Sequence, residues 1–196
     1  MVLTKKQQEA LLLVFKDYTT AYNANSISKR LDITPSGALK ILKQLKQQNL
    51  LVSKTYGRAV IYKANLDDHY TRQILETALI EEARAKATRW LNECEPLTTF
   101  AKTIILFGST ARGEKTAKDI DLLFVVKENK IELLKKGITD KNKILLKPIH
   151  PIFQTDRELK ENLHEKNPVL INALKAGYIL YGQEAMVEVL HDVTRI

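Results

Sequence analysis

Asp119 and Asp121 stand two residues apart at the head of an apolar run, Asp119-Ile120-Asp121-Leu122-Leu123-Phe124-Val125-Val126. Side chains i and i+2 of a β-strand leave the same face, so on a strand these carboxylates converge at one edge of a sheet. Two convergent oxygen ligands suit Mg²⁺, which fills its other positions with phosphate oxygens and water. Upstream, Thr103-Ile104-Ile105-Leu106-Phe107 reads as a buried strand and runs directly into Gly108-Ser109-Thr110-Ala111-Arg112-Gly113. Gly108 lets backbone approach a phosphate closely, and Ser109 adds a hydroxyl and an N–H at the start of a helix. The two halves describe one site for a metal-chelated phosphate. Without those neighbours the two acids would be solvated strand-end carboxylates. Arg112 has two readings, a contact to the loop or a phosphate and a salt bridge that holds the helix.

The 196 residues leave room for one large or two small domains, and the composition, 44% hydrophobic and 28% charged, is that of a globular chain. The longest apolar run, Ala10 to Phe15, is too short for a membrane span, and the first residues lack a signal-peptide core. A soluble cytoplasmic protein with no membrane partner is expected. Cys94 is the single cysteine, which excludes an internal disulfide, a cysteine zinc cluster and a CxxC redox centre.

The net charge of +8 is localised. Residues 1–65 hold eleven Lys and Arg against three Asp and Glu, whereas residues 66–196 hold 20 of each. A basic module joined to a neutral body points to a polyanion partner for the first third. There, Gln7 to Tyr18 places Leu11, Leu12, Val14 and Phe15 on one helical face. Asn25 to Asp32 fits a short second helix capped by Asn25 or a neighbouring Ser. Thr34-Pro35 supplies the cap and first-turn proline of a third helix reaching about Gln48. In that helix Leu39, Leu42 and Leu45 form the expected buried stripe, and Ser36, Lys40, Lys43, Gln44 and Gln47 the open side. Two β-prone runs, Leu51 to Thr55 and Ala59 to Ala64, flank Tyr56-Gly57-Arg58 as a hairpin with a cation at its tip.

Three helices followed by a hairpin resemble the winged helix-turn-helix domains of small prokaryotic transcription regulators, over roughly residues 4 to 65. The resemblance implies double-stranded DNA as partner, with the third helix in the major groove and Arg58 on phosphate or in the minor groove. Protein contacts alone are the competing use of such a module. From Asp67 to Glu95 neither Gly nor Pro interrupts a spacing of Ile74, Leu75, Ala78, Leu79, Ala83, Ala87, Trp90, Leu91 and Cys94, which predicts a long amphipathic connector, as one rod or two helices with a bend. Its apolar stripe can pack on the second domain or on another copy, so a homodimer is a reasonable expectation. The domain bounds read from these patterns are 1–66, 67–95 and 96–196.

The strand, Gly108-Ser109, Ala111-Arg112-Gly113 and Asp119-Ile120-Asp121, with nine residues between Ser109 and Asp119, resemble the minimal prokaryotic nucleotidyltransferases of the DNA polymerase beta superfamily. Asn167 to Asn172 and Gly177 to Gly182 look like the closing helix and short strand of that fold, and the resemblance spans about residues 80 to 185. It implies a two-domain chain: a mostly-α winged helix and an α+β nucleotidyltransferase fold with a small mixed sheet. It also implies transfer of a nucleoside monophosphate from a nucleoside triphosphate, ATP for preference, to an acceptor hydroxyl. Asp119 and Asp121 would hold Mg²⁺, with Gly108, Ser109 and Arg112 at the phosphates. Minimal members of the family often act as antitoxin-like partners that nucleotidylate a small toxin protein, which makes a protein hydroxyl a candidate acceptor here.

Active relatives carry a third carboxylate on a later strand, which helps hold the metal and takes the acceptor's proton. The strand expected at that place, Lys143 to Gln154, contains no acid; Asp140 precedes it, and Asp156 and Glu158 follow in a helix capped by Thr155. His150 lies in the right segment and is the candidate base, since imidazole accepts a proton near neutrality. Three readings stay open: two carboxylates suffice, the acid has moved to Asp156 or Glu158, or the domain binds nucleotide without turnover. The corresponding functions are a DNA-binding Mg²⁺-dependent nucleotidyltransferase and a non-catalytic transcription regulator that senses nucleotide or a partner. A nucleic-acid acceptor presented by the winged helix ranks behind both, because no base-stacking module is evident.

Overall fold

Thr4, Asn23 and Thr34 each start a helix by accepting a backbone N–H on a side-chain oxygen, which satisfies a donor the helix itself cannot. They open α1 (Lys5–Lys16), α2 (Ala24–Leu31) and α3 (Pro35–Gln47). β1 (Leu51–Tyr56) and β2 (Ala59–Ala64) pair antiparallel around Gly57 and Arg58, with Gly57 at φ +56°. The Tyr62 amide also donates to the Tyr22 carbonyl, so the chain before α2 forms a third bridge on this hairpin. The computed structural model describes residues 3–114 and 116–195 and divides into two compact units, Met1–Ala78 and Leu79–Ile196. The first is a winged helix.

Two details of the sequence reading change. The cap of α2 is Asn23, in a reciprocal box with Ser26, while Asn25 lies inside the first turn, where its carbonyl accepts from the Ser28 hydroxyl. The buried face of α3 is Ala38, Leu42 and Leu45, and Leu39 is 38% exposed. Adjacent helical residues differ by about 100° in direction, so putting Ala38 at the centre of the core turns Leu39 outward.

The connector is two helices, α4 (His69–Lys86) and α5 (Thr88–Cys94), and the boundary between the units falls within α4. Between the helices Ala87 leaves helical geometry at φ −136°, and the Thr88 hydroxyl donates to the Arg84 carbonyl, a back-bond that bends helices. No helix among the described residues is long and apolar enough to cross a membrane.

In the second unit β3 (Ala101–Phe107) runs into a single helical turn, α6 (Gly108–Ala111), and β4 (Ile120–Val126) follows. α7 (Ile131–Asn142), β5 (Ile149–Gln154), α8 (Asp156–His164), α9 (Pro168–Ala176), β6 (Tyr178–Tyr181) and α10 (Gln183–Thr194) complete it. The sheet order is β5-β4-β3-β6, with β4 antiparallel to β3 and parallel to β5. β3 and β4 are therefore central, and their continuous apolar runs reflect cover on both faces: Ile104, Leu106, Leu122 and Phe124 are buried on one face and Ile105, Leu123 and Val125 on the other. This is an α+β domain with a four-stranded mixed sheet.

The third strand of the site is shorter than its sequence suggests. It begins at Ile149, not Lys143, because α7 continues to Asn142 and the residues between form a loop in which Ile144 and Leu146 are exposed. Asn142 Oδ1 accepts from the Ile149 amide at 2.8 Å and pins the start of β5. Pro151 is tolerated within β5 because the strand is an edge.

In the winged helix the buried Asp17 carboxylate accepts from the Tyr22 hydroxyl at 2.6 Å and from the Thr19 and Thr20 hydroxyls. Burial and the Asp17 carboxylate both push the Tyr22 phenol pKa up, which keeps it a donor. Tyr22→Phe is expected to lower the unfolding free energy by about 2 kcal/mol, the value of a bond to a buried charge. Urea denaturation reads this loss, and an unchanged midpoint would mean that the remaining partners satisfy Asp17.

Candidate functional site

The head of β4 is held from both sides. Asp121 is in register with Phe107 at the end of β3 and with His150 near the start of β5. Its Oδ1 lies 3.1 Å from His150 Nδ1, and ligand atoms of Asp119, Asp121 and His150 all fall within 4.8 Å of one another. Two ligands of one ion with bonds of about 2.1 Å stand up to about 4 Å apart, so small side-chain rotations bring these three onto a common centre. Asp121 is largely shielded at 19% side-chain exposure, whereas His150 is open at 66%.

Gly108 shapes the other wall. It sits at φ +69°, and a Cβ there would lie 2.0 Å from Asp121 Oδ2. Only a residue without a side chain lets the turn after β3 close on that carboxylate. Thr110 then ties the turn to the second strand, its hydroxyl donating to the Asp119 carbonyl at 2.7 Å. The Ser109 hydroxyl has no partner among the described residues. Arg112 donates from Nε to Glu114 Oε1 at 2.6 Å, which is the salt-bridge reading of this residue.

The acids on either side of the expected strand, Asp140, Asp156 and Glu158, are engaged elsewhere. β5 runs parallel to β4 and ends at Gln154, opposite Val125, four residues or about 13 Å along the strand from Asp121. Beyond it, Asp156 pairs with Lys102 Nζ at 2.8 Å, near the start of β3, at the end of the sheet away from Gly108. Glu158 closes the α8 capping box, and the Thr155 amide and hydroxyl hold its carboxyl below the usual carboxylate range. Asp140 pairs with Lys143, which likewise lowers its pKa. A third acid moved to Asp156 or Glu158 is thus excluded by strand direction.

On the winged helix, Ser36, Lys40, Lys43 and Gln47 of α3 are exposed, as is Arg58 at the hairpin tip. Gln44 is turned toward α1, where its Oε1 accepts from Gln7 Nε2 at 3.2 Å. Leu39 and Arg58, with Asn25 and Val60, line one groove of about 350 Å³ between α3 and the hairpin. Leu39 is the one α3 residue in this lining, which otherwise comes from the start of α2 and the hairpin.

Sequence reasoning missed Thr110 and Asn142, which position Asp119 and the strand of His150. Thr110 lies inside the singled-out Gly108 to Gly113 stretch, but nothing in its type reveals a bond to the Asp119 carbonyl. Asn142 carries no signal at all.

Residues 88–177 match the family model of a nucleotidyltransferase domain, and residues 20–65 match that of a TBPIP/Hop2 winged helix domain. The chain thus joins a winged helix to a nucleotidyltransferase fold. No curated protein and no solved structure matches it.

Gly113 also has positive φ, +73°, but nothing lies within 4 Å of a Cβ built there. Gly113→Ala is expected to cost about 1–2 kcal/mol from backbone strain alone. Gly108→Ala is expected to cost clearly more, because its methyl must also displace Asp121. Chemical denaturation of both variants checks the difference, and equal losses would show that Asp121 does not seat against Gly108.

Proposed function

We propose that this protein is a DNA-binding nucleotidyltransferase that moves a nucleoside monophosphate from a nucleoside triphosphate, ATP for preference, to a hydroxyl on a partner protein. The observation that carries the reading is the convergence of Asp119, Asp121 and His150 on the edge where the Gly108 turn closes. The donor set fits the divalent ion of a chelated triphosphate, and the Gly108 turn brings backbone close to it. Asp119 and Asp121 would hold Mg²⁺, which when bound neutralises charge on the triphosphate and on the departing pyrophosphate. Ser109 offers its hydroxyl to a phosphate oxygen beside the Gly108 backbone. The backbone of Asp121 is fixed by register with both neighbouring strands, so only small side-chain rotations are needed to engage. Catalysis of this kind rests on positioning and electrostatics, which a rigid sheet edge provides.

One observation favours a second reading, a regulator that binds nucleotide without turnover: β5 carries no carboxylate. Label transfer from α-phosphate-labelled nucleoside triphosphates with Mg²⁺, with host lysate as acceptor source, separates the two. Transfer abolished in the Asp119→Asn, Asp121→Asn double variant is the expected result. Nucleotide binding that depends on the same acids, without any transfer, would establish the regulator instead.

For the winged helix, double-stranded DNA is the proposed partner, engaged by exposed α3 side chains and Arg58. Replacing Lys40 and Arg58 with Ala should weaken binding and flatten the logarithmic salt dependence by about one unit per lost phosphate contact. An unchanged slope would remove both residues from the interface.

A further inference from the structure

We infer that His150 is a metal ligand and that this site, unlike an all-carboxylate one, selects a divalent transition ion, with Mn²⁺ as its accessible probe, over Mg²⁺. The inference rests on the proposed nucleotidyltransferase reading and assigns the ion of that same site. Its basis is the chemistry of the donor set. Register pairing puts His150 directly beside Asp121, on the neighbouring strand of the same edge. Its Nδ1 is turned onto the carboxylate, 3.1 Å from Oδ1, and lies in the cluster with Asp119. Asp140, Asp156 and Glu158 are each held by a partner of their own, Asp156 and Glu158 beyond the far end of β5. Position 150 is therefore the third donor.

An imidazole in that place changes both charge and softness. The site presents two negative charges instead of three, which weakens attraction for a hard ion whose binding is electrostatic. Neutral imidazole nitrogen binds Mn²⁺, Co²⁺, Ni²⁺ and Cu²⁺ progressively better, whereas Mg²⁺ prefers oxygen and keeps its water. With Nδ1 committed to the ion, the ring's remaining N–H is a donor, so His150 does not take the acceptor's proton.

The test is pulsed electron paramagnetic resonance of the full-length protein loaded with Mn²⁺, without nucleotide and with a non-hydrolysable nucleoside triphosphate. Nitrogen coupling to Mn²⁺ is expected in the wild type and should vanish in His150→Asp and His150→Gln. Because His150 is exposed, both variants are expected to fold, and circular dichroism verifies it. In parallel, equilibrium binding should show the ratio of Mn²⁺ to Mg²⁺ affinity falling by about tenfold in His150→Asp, because a carboxylate oxygen there suits Mg²⁺ better than imidazole does. Mn²⁺ bound through Asp119 and Asp121 without nitrogen coupling would overturn the assignment while leaving the nucleotidyltransferase reading intact. Absence of any Asp-dependent divalent-ion binding, with or without nucleotide, would overturn both.

Discussion

The pairing of β4 with β3 on one side and β5 on the other is the constraint on which the candidate site depends. Asp121 is where the end of an antiparallel neighbour and the start of a parallel neighbour meet. A slip of one residue in either ladder would turn the carboxylate to the opposite face. The register is held by side chains remote from the chemistry: Leu122, Leu123, Phe124 and Val125 are buried along β4, and Phe124 stacks on Phe153 of β5 with ring centroids 5.9 Å apart. Core packing and site geometry are one problem here. Each fully buried leucine or phenylalanine contributes about 1.5–3 kcal/mol, and the same burial fixes where Asp121 points.

The Gly108 turn and the Thr110 bond extend that constraint to the other wall. A chain leaving β3 must turn back beside the strand it has just paired with, and Asp121 occupies the space where a side chain would go. The Thr110 hydroxyl then couples α6 to the carbonyl of Asp119, so both acids answer to the turn as well as to the sheet. The winged helix follows a different logic. Its core is apolar apart from Gln7, Lys16, Asp17, Ser28 and Thr71, and most of its other cations are exposed, including those of α3 and the hairpin.

Much of this could be read in advance, for physical reasons. Thr34-Pro35 marks the start of α3 because cap and proline chemistry are local, and Thr155 marks α8 in the same way. Apolar runs without alternation identify β3 and β4 as central strands. The carboxylate spacing and Gly108 were legible because the motif combines a backbone requirement with a side-chain requirement. Leu39 was not, since leucines at 39, 42 and 45 fit a helical stripe almost as well as Ala38, Leu42 and Leu45, and only packing against α1 and α2 separates them. The break at Ala87 lacks Gly or Pro, so local pattern does not mark its place. The role of position 150 was open because it is decided by strand register between segments some thirty residues apart, a non-local quantity that local pattern does not encode.

Register also limits which residues can stand beside Asp121. In a parallel pair, the residues that can share a ligand with Asp121 lie near its partner on β5, and the strand's direction carries everything after Gln154 away from it. Asp156 and Glu158 are close in sequence to His150 yet lie past the opposite end of the ladder, where one neutralises Lys102 and the other caps α8. No change of rotamer moves a carboxylate across the length of a strand. The sheet that presents Asp121 so rigidly thereby limits what can stand beside it: on β5 a donor must come from the first turn of the pleat, and the residue there is histidine. Among the described residues, the metal-ligand groups gathered at this edge are two carboxylates and an imidazole.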